Sequence, residues 1–161
     1  MYITQVDSPV GRLTLAARDG CLTGLWLEGQ KYFMAGADPE TENAPDAAPF
    51  PQARAWLAAY FAGQDADASA LPLAPRGTDF QRRVWQALRE IPRGQTRTYG
   101  QLAAVLHSSA RAVGGAVGHN PISILIPCHR VLGAAGRLTG YAGGADRKAL
   151  LLRLEGAAFR E

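Results

Sequence analysis

Cysteine and histidine are scarce in this chain of 161 residues, and their spacing argues against two kinds of protein. There are two cysteines, Cys21 and Cys128, and three histidines, His107, His119 and His129. One pair of distant cysteines cannot make a disulfide framework. Metal sites group such residues at short, regular spacings that are missing here. We therefore expect reduced thiols, no metal and no cofactor.

Long apolar runs are also missing. The run from Ile122 to Ile126 is far shorter than the roughly 18 residues that suggest a membrane span. Residues 1–7 alternate like a strand and lack the basic and then apolar pattern of a secretory signal. With 47% hydrophobic and 19% charged residues, the composition is globular. These features predict a cytoplasmic protein without a membrane partner.

Acidic and basic residues are divided unevenly along the chain. Residues 1–75 hold four Lys or Arg against nine Asp or Glu, a net charge of −5, whereas residues 76–161 hold thirteen against five, a net charge of +8. The basic half favours nucleic acid as its partner, although a merely solvated basic face would give the same count. The change of sign also marks the predicted domain boundary.

The acidic half, residues 1–75, has the pattern of an α+β domain that ends in a linker. Three antiparallel strands are predicted by alternating runs at residues 2–6, 13–17 and 22–27. Residues 28–50, with scattered Gly, Pro and acids, predict a loop. Apolar residues at helical spacing then predict a helix over 51–62, and two prolines mark a linker over 65–76.

The basic half, residues 76–161, is predicted to be mostly helical. Thr78 and Gln81 have the spacing of a capping box at the start of a helix. Two short helices around a tight turn predict a helix-turn-helix, over residues 99–106 and 110–118. The other predicted elements are a buried strand at 123–126, a turn or hairpin at 133–140 and a closing helix at 146–155.

Cys128 is the candidate nucleophile, because it stands in the run Pro127-Cys128-His129-Arg130. A thiol reacts as its thiolate, and a neighbouring base or cation favours that form. Adjacency in sequence is weak evidence, and the residues alone favour a buried, inert cysteine, since free cysteine is among the most buried residue types. Cys21, on a predicted strand without a nearby histidine, is expected to be structural.

The second short helix carries Arg111 and three glycines, Gly114, Gly115 and Gly118. Each glycine weakens a helix by about 1 kcal/mol relative to alanine. Close approach of another surface is the usual reason for accepting that cost. The surface is either a neighbouring helix or a DNA groove, and in the second case Arg111 faces phosphates or bases.

Four stretches of the basic half together resemble one protein family. They are TYGQLA (98–103), ARAVGGAVGHNPISILIPCHRV (110–131), GRLTGYAGG (136–144) and LLRLEG (151–156). In this order they resemble the O6-alkylguanine-DNA alkyltransferases, also called methylated-DNA–protein-cysteine methyltransferases. The resemblance implies an N-terminal three-stranded antiparallel sheet domain of ribonuclease H-like type, followed by a winged helix-turn-helix domain.

The resemblance implies a monomeric DNA repair enzyme that acts only once per molecule. An alkyl group, such as methyl, would pass from O6 of guanine in duplex DNA to Cys128 and stay there as a thioether. His129 would take the thiol proton through a bridging water, and Glu155 would polarise the imidazole. Asn120 would hold this network in place. Tyr99 would crowd the phosphate and supply a proton to the departing guanine.

The same resemblance implies how the DNA is held. The damaged base would leave the stack from the minor-groove side, and Arg111 would fill the vacated space. The DNA-facing glycines of the helix would be Gly114, Gly115 and Gly118. The pocket for the base would be formed by Tyr141, Val117, Ala142 and Lys148. An ordinary core aromatic is the alternative for Tyr141, and a solvated lysine is the alternative for Lys148.

The sequence departs from the family pattern at two places. Eleven residues separate Tyr99 from Arg111, two fewer than the family pattern, and His107-Ser108-Ser109 stands where Gly and Pro are common. Ala142 stands where some relatives have serine. These departures bear on the turn between the two short helices, on the reach of Arg111 and, at Ala142, on contacts to the base oxygen.

Three other functions compete with alkyl transfer. A non-catalytic binder of alkylated DNA would lack the acceptor, whereas Cys128 is present. A helix-turn-helix regulator would need base-reading side chains on a helix that instead carries glycines. A redox thiol enzyme would need a second cysteine near the first.

Overall fold

The computed structural model describes residues 1–161 and begins with a four-stranded sheet. Its strands are β1 (Tyr2–Val6), β2 (Leu13–Arg18), β3 (Cys21–Leu27) and β4 (Glu42–Asn43). Their order is β3-β2-β1-β4, with β1, β2 and β3 antiparallel and β4 parallel to β1. The three predicted strands are confirmed. The predicted number of strands is wrong, because the sheet has a fourth strand, β4. This strand lies inside the predicted loop and is too short and polar to show an alternating pattern.

A single helix, α1 (Phe50–Phe61), follows the sheet. It buries Phe50, Ala53, Leu57 and Tyr60, which recur every three or four residues and so share one face. The helix ends before Gly63, whose φ of 88° suits a residue without a side chain. It lies within one residue of its predicted bounds.

The basic half begins with α2 (Asp79–Arg89), whose first turn has the predicted capping box. The Gln81 amide donates to Thr78 Oγ1 at 3.1 Å, and the Thr78 amide donates to Gln81 Oε1 at 2.9 Å. The helix buries Val84, Trp85 and Leu88. Trp85 Nε1 also donates to the carbonyl of Ala116 at 2.8 Å, which fixes α2 against the second of the two short helices.

The helix-turn-helix consists of α3 (Tyr99–Leu106) and α4 (Ala110–Gly118), at the predicted bounds. His107 ends α3 in the left-handed region, with a φ of 53°. Ser109 begins α4 by accepting the Ala112 amide on its side chain at 3.1 Å. Three residues therefore suffice for the turn, although glycine and proline are missing from it.

Residues 123–126 form turns, so the strand predicted there is wrong. Ile124 has a φ of 71°, which a β-branched residue adopts only when its surroundings enforce it. Backbone hydrogen bonds to β3 hold the segment: the Leu25 amide donates to Pro121 at 2.8 Å, and the Ser123 amide donates to Leu25 at 3.0 Å. An apolar run predicts burial correctly here but not the type of structure.

Cys128 begins a single turn of 3-10 helix, Cys128–Arg130, and does not lie on a strand. The turn leads into β6 (Val131–Leu132), which pairs in parallel with β5 (Arg97–Thr98). Short 3-10 geometry continues over Ala134–Gly136, within the predicted turn. The strands β5 and β6 are two residues long, too short to show an alternating pattern in the sequence.

The closing helix α5 (Ala145–Leu154) returns to the core. One continuous cluster of buried apolar residues joins the acidic half, through Leu15, Leu25 and Leu57, to the basic half, through Val113 and Leu151. Both halves of the chain therefore depend on the same buried contacts. None of the helices combines the length and the apolar character of a membrane span.

Candidate active site

A cavity of about 340 Å³ opens beside α4, and we call it the cysteine pocket because Cys128 lies in its wall. Most of the sequence-predicted site residues meet there: Asn120, Tyr99, Tyr141, Val117 and Ala142, together with Gly114, Gly115 and Gly118. Arg111, His129, Glu155 and Lys148 do not line it. The structure therefore brings together residues from α3, α4, the segment 120–128 and the segment 140–142.

Cys128 is almost completely buried, and burial raises the pKa of its thiol. The neighbouring Asn120 side chain, the charge of Lys148 and the neighbouring Tyr141 lower the pKa of the thiol without overcoming the effect of burial. The resting side chain is therefore the protonated thiol. A nearby base must remove its proton for it to react.

His129 is buried next to Cys128 in the chain and has one nitrogen free to act as that base. Its Nε2 lies 2.7 Å from Glu155 Oε2, and since a carboxylate accepts, this nitrogen carries the proton. Nδ1 then holds a lone pair, and it is buried without a protein partner. Burial also lowers the pKa of His129, so the imidazole is neutral at rest.

Glu155 accepts hydrogen bonds from three residues on two elements, the 3-10 turn and α1. Besides His129, Arg130 Nε donates to its Oε1 at 2.8 Å, and the Tyr60 hydroxyl donates to its Oε2 at 2.6 Å. Burial alone would raise the pKa of Glu155, but these donors hold it far below its usual range. The carboxylate therefore stays ionised and fixes the orientation of the His129 ring.

Tyr60 is a residue that sequence reasoning missed. It lies on α1, 95 positions before Glu155, and its ring is stacked on Trp56 with centroids 5.1 Å apart. Burial, together with the neighbouring carboxylate, raises its pKa well above the usual value. Only its place on the buried face of α1 could have drawn attention to it.

Removing the Tyr60 hydroxyl is expected to destabilise the protein. Tyr60→Phe keeps the ring but deletes a donor to a buried carboxylate, so we expect the free energy of unfolding in urea to fall by about 1.5–3 kcal/mol. Tyr2→Phe is the matched control, because Tyr2 is 44% exposed on β1, and it should change that free energy by less than about 0.5 kcal/mol. Equal effects of the two variants would contradict the assigned contact.

Asn120 holds the segment that leads to Cys128. Its Nδ2 donates to the carbonyl of Ile126 at 2.8 Å, and its Oδ1 accepts the amide of Ile122 at 3.0 Å. The side chain also lowers the pKa of the neighbouring thiol. Asn120 therefore connects the end of α4 to the turn that carries the cysteine.

Lys148 is fully buried, which rules out the solvated lysine as an interpretation. Its Nζ lies 3.4 Å from Thr139 Oγ1 and 3.5 Å from the carbonyl of Gly140. Burial lowers its pKa to about 8, so it remains mostly cationic at neutral pH. Its charge favours the thiolate form of Cys128.

Two tyrosines, Tyr99 and Tyr141, lie in the pocket wall. The Tyr141 hydroxyl is buried without a hydrogen-bond partner, beside Ser123 and Cys128. Burial raises the pKa of Tyr141 well above its usual value and raises that of Tyr99 as well. Both phenols are therefore neutral at physiological pH.

The glycines of α4 leave its backbone open on one side. A Cβ added at Gly115 or Gly118 would meet nothing within 4 Å, and one at Gly114 would only touch the Tyr99 ring at 3.8 Å. Packing against a neighbouring helix therefore does not explain Gly115 and Gly118. Arg111 is exposed at the start of the same helix. The helix presents a smooth surface with a cation at one end.

The fold and the site define a protein in which a helix-turn-helix surface lies beside a buried cysteine and a histidine–carboxylate pair. The chain matches the 6-O-methylguanine DNA methyltransferase family in two parts: the ribonuclease-like domain over residues 1–75 and the DNA binding domain over residues 79–157. The chain therefore belongs to this family, as its motifs predict.

Individual relatives agree with this assignment. A methylated-DNA–protein-cysteine methyltransferase of Mycolicibacterium paratuberculosis is 53% identical, with 93% of this chain and 89% of that protein covered. The Methanosarcina acetivorans protein of the same name is 46% identical, with 98% and 99% covered. A crystal structure of Mycobacterium tuberculosis OGT in complex with DNA is similar with a TM-score of 0.86 and 47% identity, covering 97% of this chain and 93% of that one.

Proposed function

We propose that this protein repairs alkylated DNA by direct reversal, as a methylated-DNA–[protein]-cysteine S-methyltransferase. It transfers an alkyl group from O6 of guanine to Cys128 and restores guanine. The observation that carries the proposal is the neutral thiol in a pocket beside α4, next to the His129–Glu155 pair. The names of the relatives support the same reaction.

The reaction breaks one bond and forms one. The Cys128 sulfur attacks the alkyl carbon, the bond from that carbon to O6 breaks, and a thioether forms. His129 Nδ1 receives the thiol proton through a bridging water, and Glu155 stabilises the resulting imidazolium. Tyr99 donates a proton to the departing guanine. Because nothing removes the alkyl group from sulfur, each molecule reacts once.

Residues 76–161 form the part that binds DNA and carries out the reaction, and residues 1–75 form a second domain. One molecule binds duplex DNA through α4, whose open backbone at Gly115 and Gly118 fits the floor of the minor groove. The alkylated guanine turns out of the stack into the cysteine pocket, between Tyr99 and Tyr141. Lys148 supplies positive charge near the sulfur.

Mass spectrometry of the intact protein and its peptides tests this function. The protein is incubated with an equal amount of a duplex that contains one O6-methylguanine, and separately with the undamaged duplex. One added methyl on the peptide that holds Cys128, only with the damaged duplex, is the expected result. A bound but unmodified protein would instead identify a non-catalytic binder of alkylated DNA.

Arg111 is expected to matter for duplex DNA more than for the chemistry. It is exposed at the start of α4 and outside the pocket, so its proposed task is to fill the space left by the extruded base. Since extrusion costs a few kcal/mol, Arg111→Ala should slow transfer from duplex DNA by about 10- to 100-fold. Transfer from free O6-benzylguanine should slow far less.

The control for this variant is Arg153→Ala, which removes the same charge from α5. It should leave transfer from duplex DNA within about twofold, as is usual for a distant surface position. Equal losses of Arg111→Ala on the duplex and on the free base would contradict the proposed role.

A further inference from the structure

Two residues of the acidic half reach the cysteine pocket. Lys31 and Tyr32 lie in its wall, in the turn that follows β3. The Tyr32 ring is stacked on His119, with centroids 4.3 Å apart and planes 24° apart. His119 Nδ1 in turn donates to the carbonyl of Gly115 at 2.7 Å. The pocket mouth at the end of α4 is therefore built from both halves of the chain.

Lys31 differs from the other basic residues of the acidic half. Arg12, Arg18 and Arg54 each pair with an aspartate of that half, at 3.7, 3.1 and 3.9 Å. Lys31 makes no ion pair, and its Nζ lies 5.2 Å from the centroid of the Tyr32 ring. Because residues 1–75 carry a net charge of −5, an unpaired cation at the pocket mouth is unusual.

Hydrogen bonds fix the backbone that carries these two side chains. Gln30 is buried, accepts the Leu27 amide at 2.7 Å and donates to the Lys31 carbonyl at 3.1 Å. The Lys31 amide donates to Ala142 at 2.9 Å, next to Tyr141 of the pocket wall. Tyr32 has a φ of 60°, a conformation that aromatic residues rarely adopt and that clusters at binding sites.

We infer that Lys31, Tyr32 and His119 form a second DNA contact, in which Lys31 pairs with a phosphate of the strand that carries the extruded nucleotide. The inference rests on the proposed function, since a base in the pocket forces its own backbone across the mouth. The stacked rings of Tyr32 and His119 lie against the sugar of that nucleotide. Through this contact the acidic half, which otherwise repels phosphate, takes part in binding.

The salt dependence of binding tests the role of Lys31. Affinity for an O6-methylguanine duplex is measured at several salt concentrations, with Cys128→Ser in every chain so that no transfer occurs. The logarithm of the binding constant falls linearly with the logarithm of the salt concentration. Losing one phosphate contact makes this negative slope shallower by about 0.9. Lys31→Gln should show this change and bind about three- to tenfold more weakly at low salt, and Lys31→Arg should restore both values.

Arg12→Gln is the matched control, because it removes the same charge from the same half away from the pocket. It should leave the slope unchanged. Tyr32→Ala should weaken binding with no change of slope, since stacking does not release counterions. Identical slopes for Lys31→Gln and Arg12→Gln would overturn the inference. Failure of the unmodified chain to take up methyl would instead overturn the proposed function, so the two failures are distinguishable.

Discussion

Replacing Cys128 by serine is expected to abolish alkyl transfer, with a loss of at least about 10³-fold in rate. A hydroxyl ionises far less readily than a thiol, and serine offers no sulfur to form the thioether. The two side chains are close in size, and Cys128 is almost completely buried, so the exchange leaves the exposed surface of α4 unchanged. Affinity for undamaged duplex should therefore stay within about twofold.

The second cysteine provides the control for this experiment. Cys21 lies on β3, only partly buried and outside the pocket. Cys21→Ser should transfer methyl at the unmodified rate, as measured by mass spectrometry of the protein after mixing with a methylated duplex. Methyl uptake by Cys128→Ser would show that another residue is the acceptor.

Replacing Glu155 by glutamine is expected to affect stability as strongly as reactivity. The buried carboxylate accepts from His129, Arg130 and Tyr60, so the variant leaves Arg130 without its counter-charge. Breaking a buried pair on one side costs about 3–5 kcal/mol. Urea unfolding at pH 7 should show a loss of that size, and transfer should slow because the His129 ring is no longer held by an anion.

The pH dependence of that loss has a definite sign. The pKa of Glu155 in the folded protein lies far below the unfolded value of 4.5. Its stabilising contribution is therefore complete above pH 4.5 and is lost as the pH falls below it. The gap in unfolding free energy between the unmodified chain and Glu155→Gln should shrink on acidification.

An exposed carboxylate provides the reference for this measurement. Glu90→Gln, at the end of α2, makes the same chemical change on the surface and should differ from the unmodified chain by less than about 0.5 kcal/mol at any pH. The difference in unfolding free energy between the unmodified chain and Glu155→Gln could instead stay constant from pH 7 to pH 3. That result would show that the partners of Glu155 do not stabilise its ionised form.

Local sequence signals predicted the helices well and the segment before Cys128 poorly. The bounds of α3 and α4 follow from caps and spacing, which act within a few residues. The apolar residues of the segment 123–126 indicate only that it is buried. Its turn depends on hydrogen bonds with Asn120 and with β3. Such contacts cannot be read from the run itself.

The candidate site shows the same division. The family motifs lead to Cys128, His129 and Glu155, and the structure places His129 and Glu155 at hydrogen-bonding distance. Tyr60 and Lys31 come from the acidic half, far away along the chain, and no local pattern links them to the pocket. Long-range contacts of this kind need the folded chain.

The buried cluster shared by the two halves has a consequence for exchange between relatives. Leu15 and Leu57 pack in the same cluster as Val113 and Leu151, and Tyr60 reaches across to Glu155. In a chimera that joins the acidic half of one relative to the basic half of another, the buried side chains of the two halves must still pack together. Substitutions in α1, which contributes no residue to the wall of the cysteine pocket, should therefore appear among repair-deficient alleles in a genetic screen.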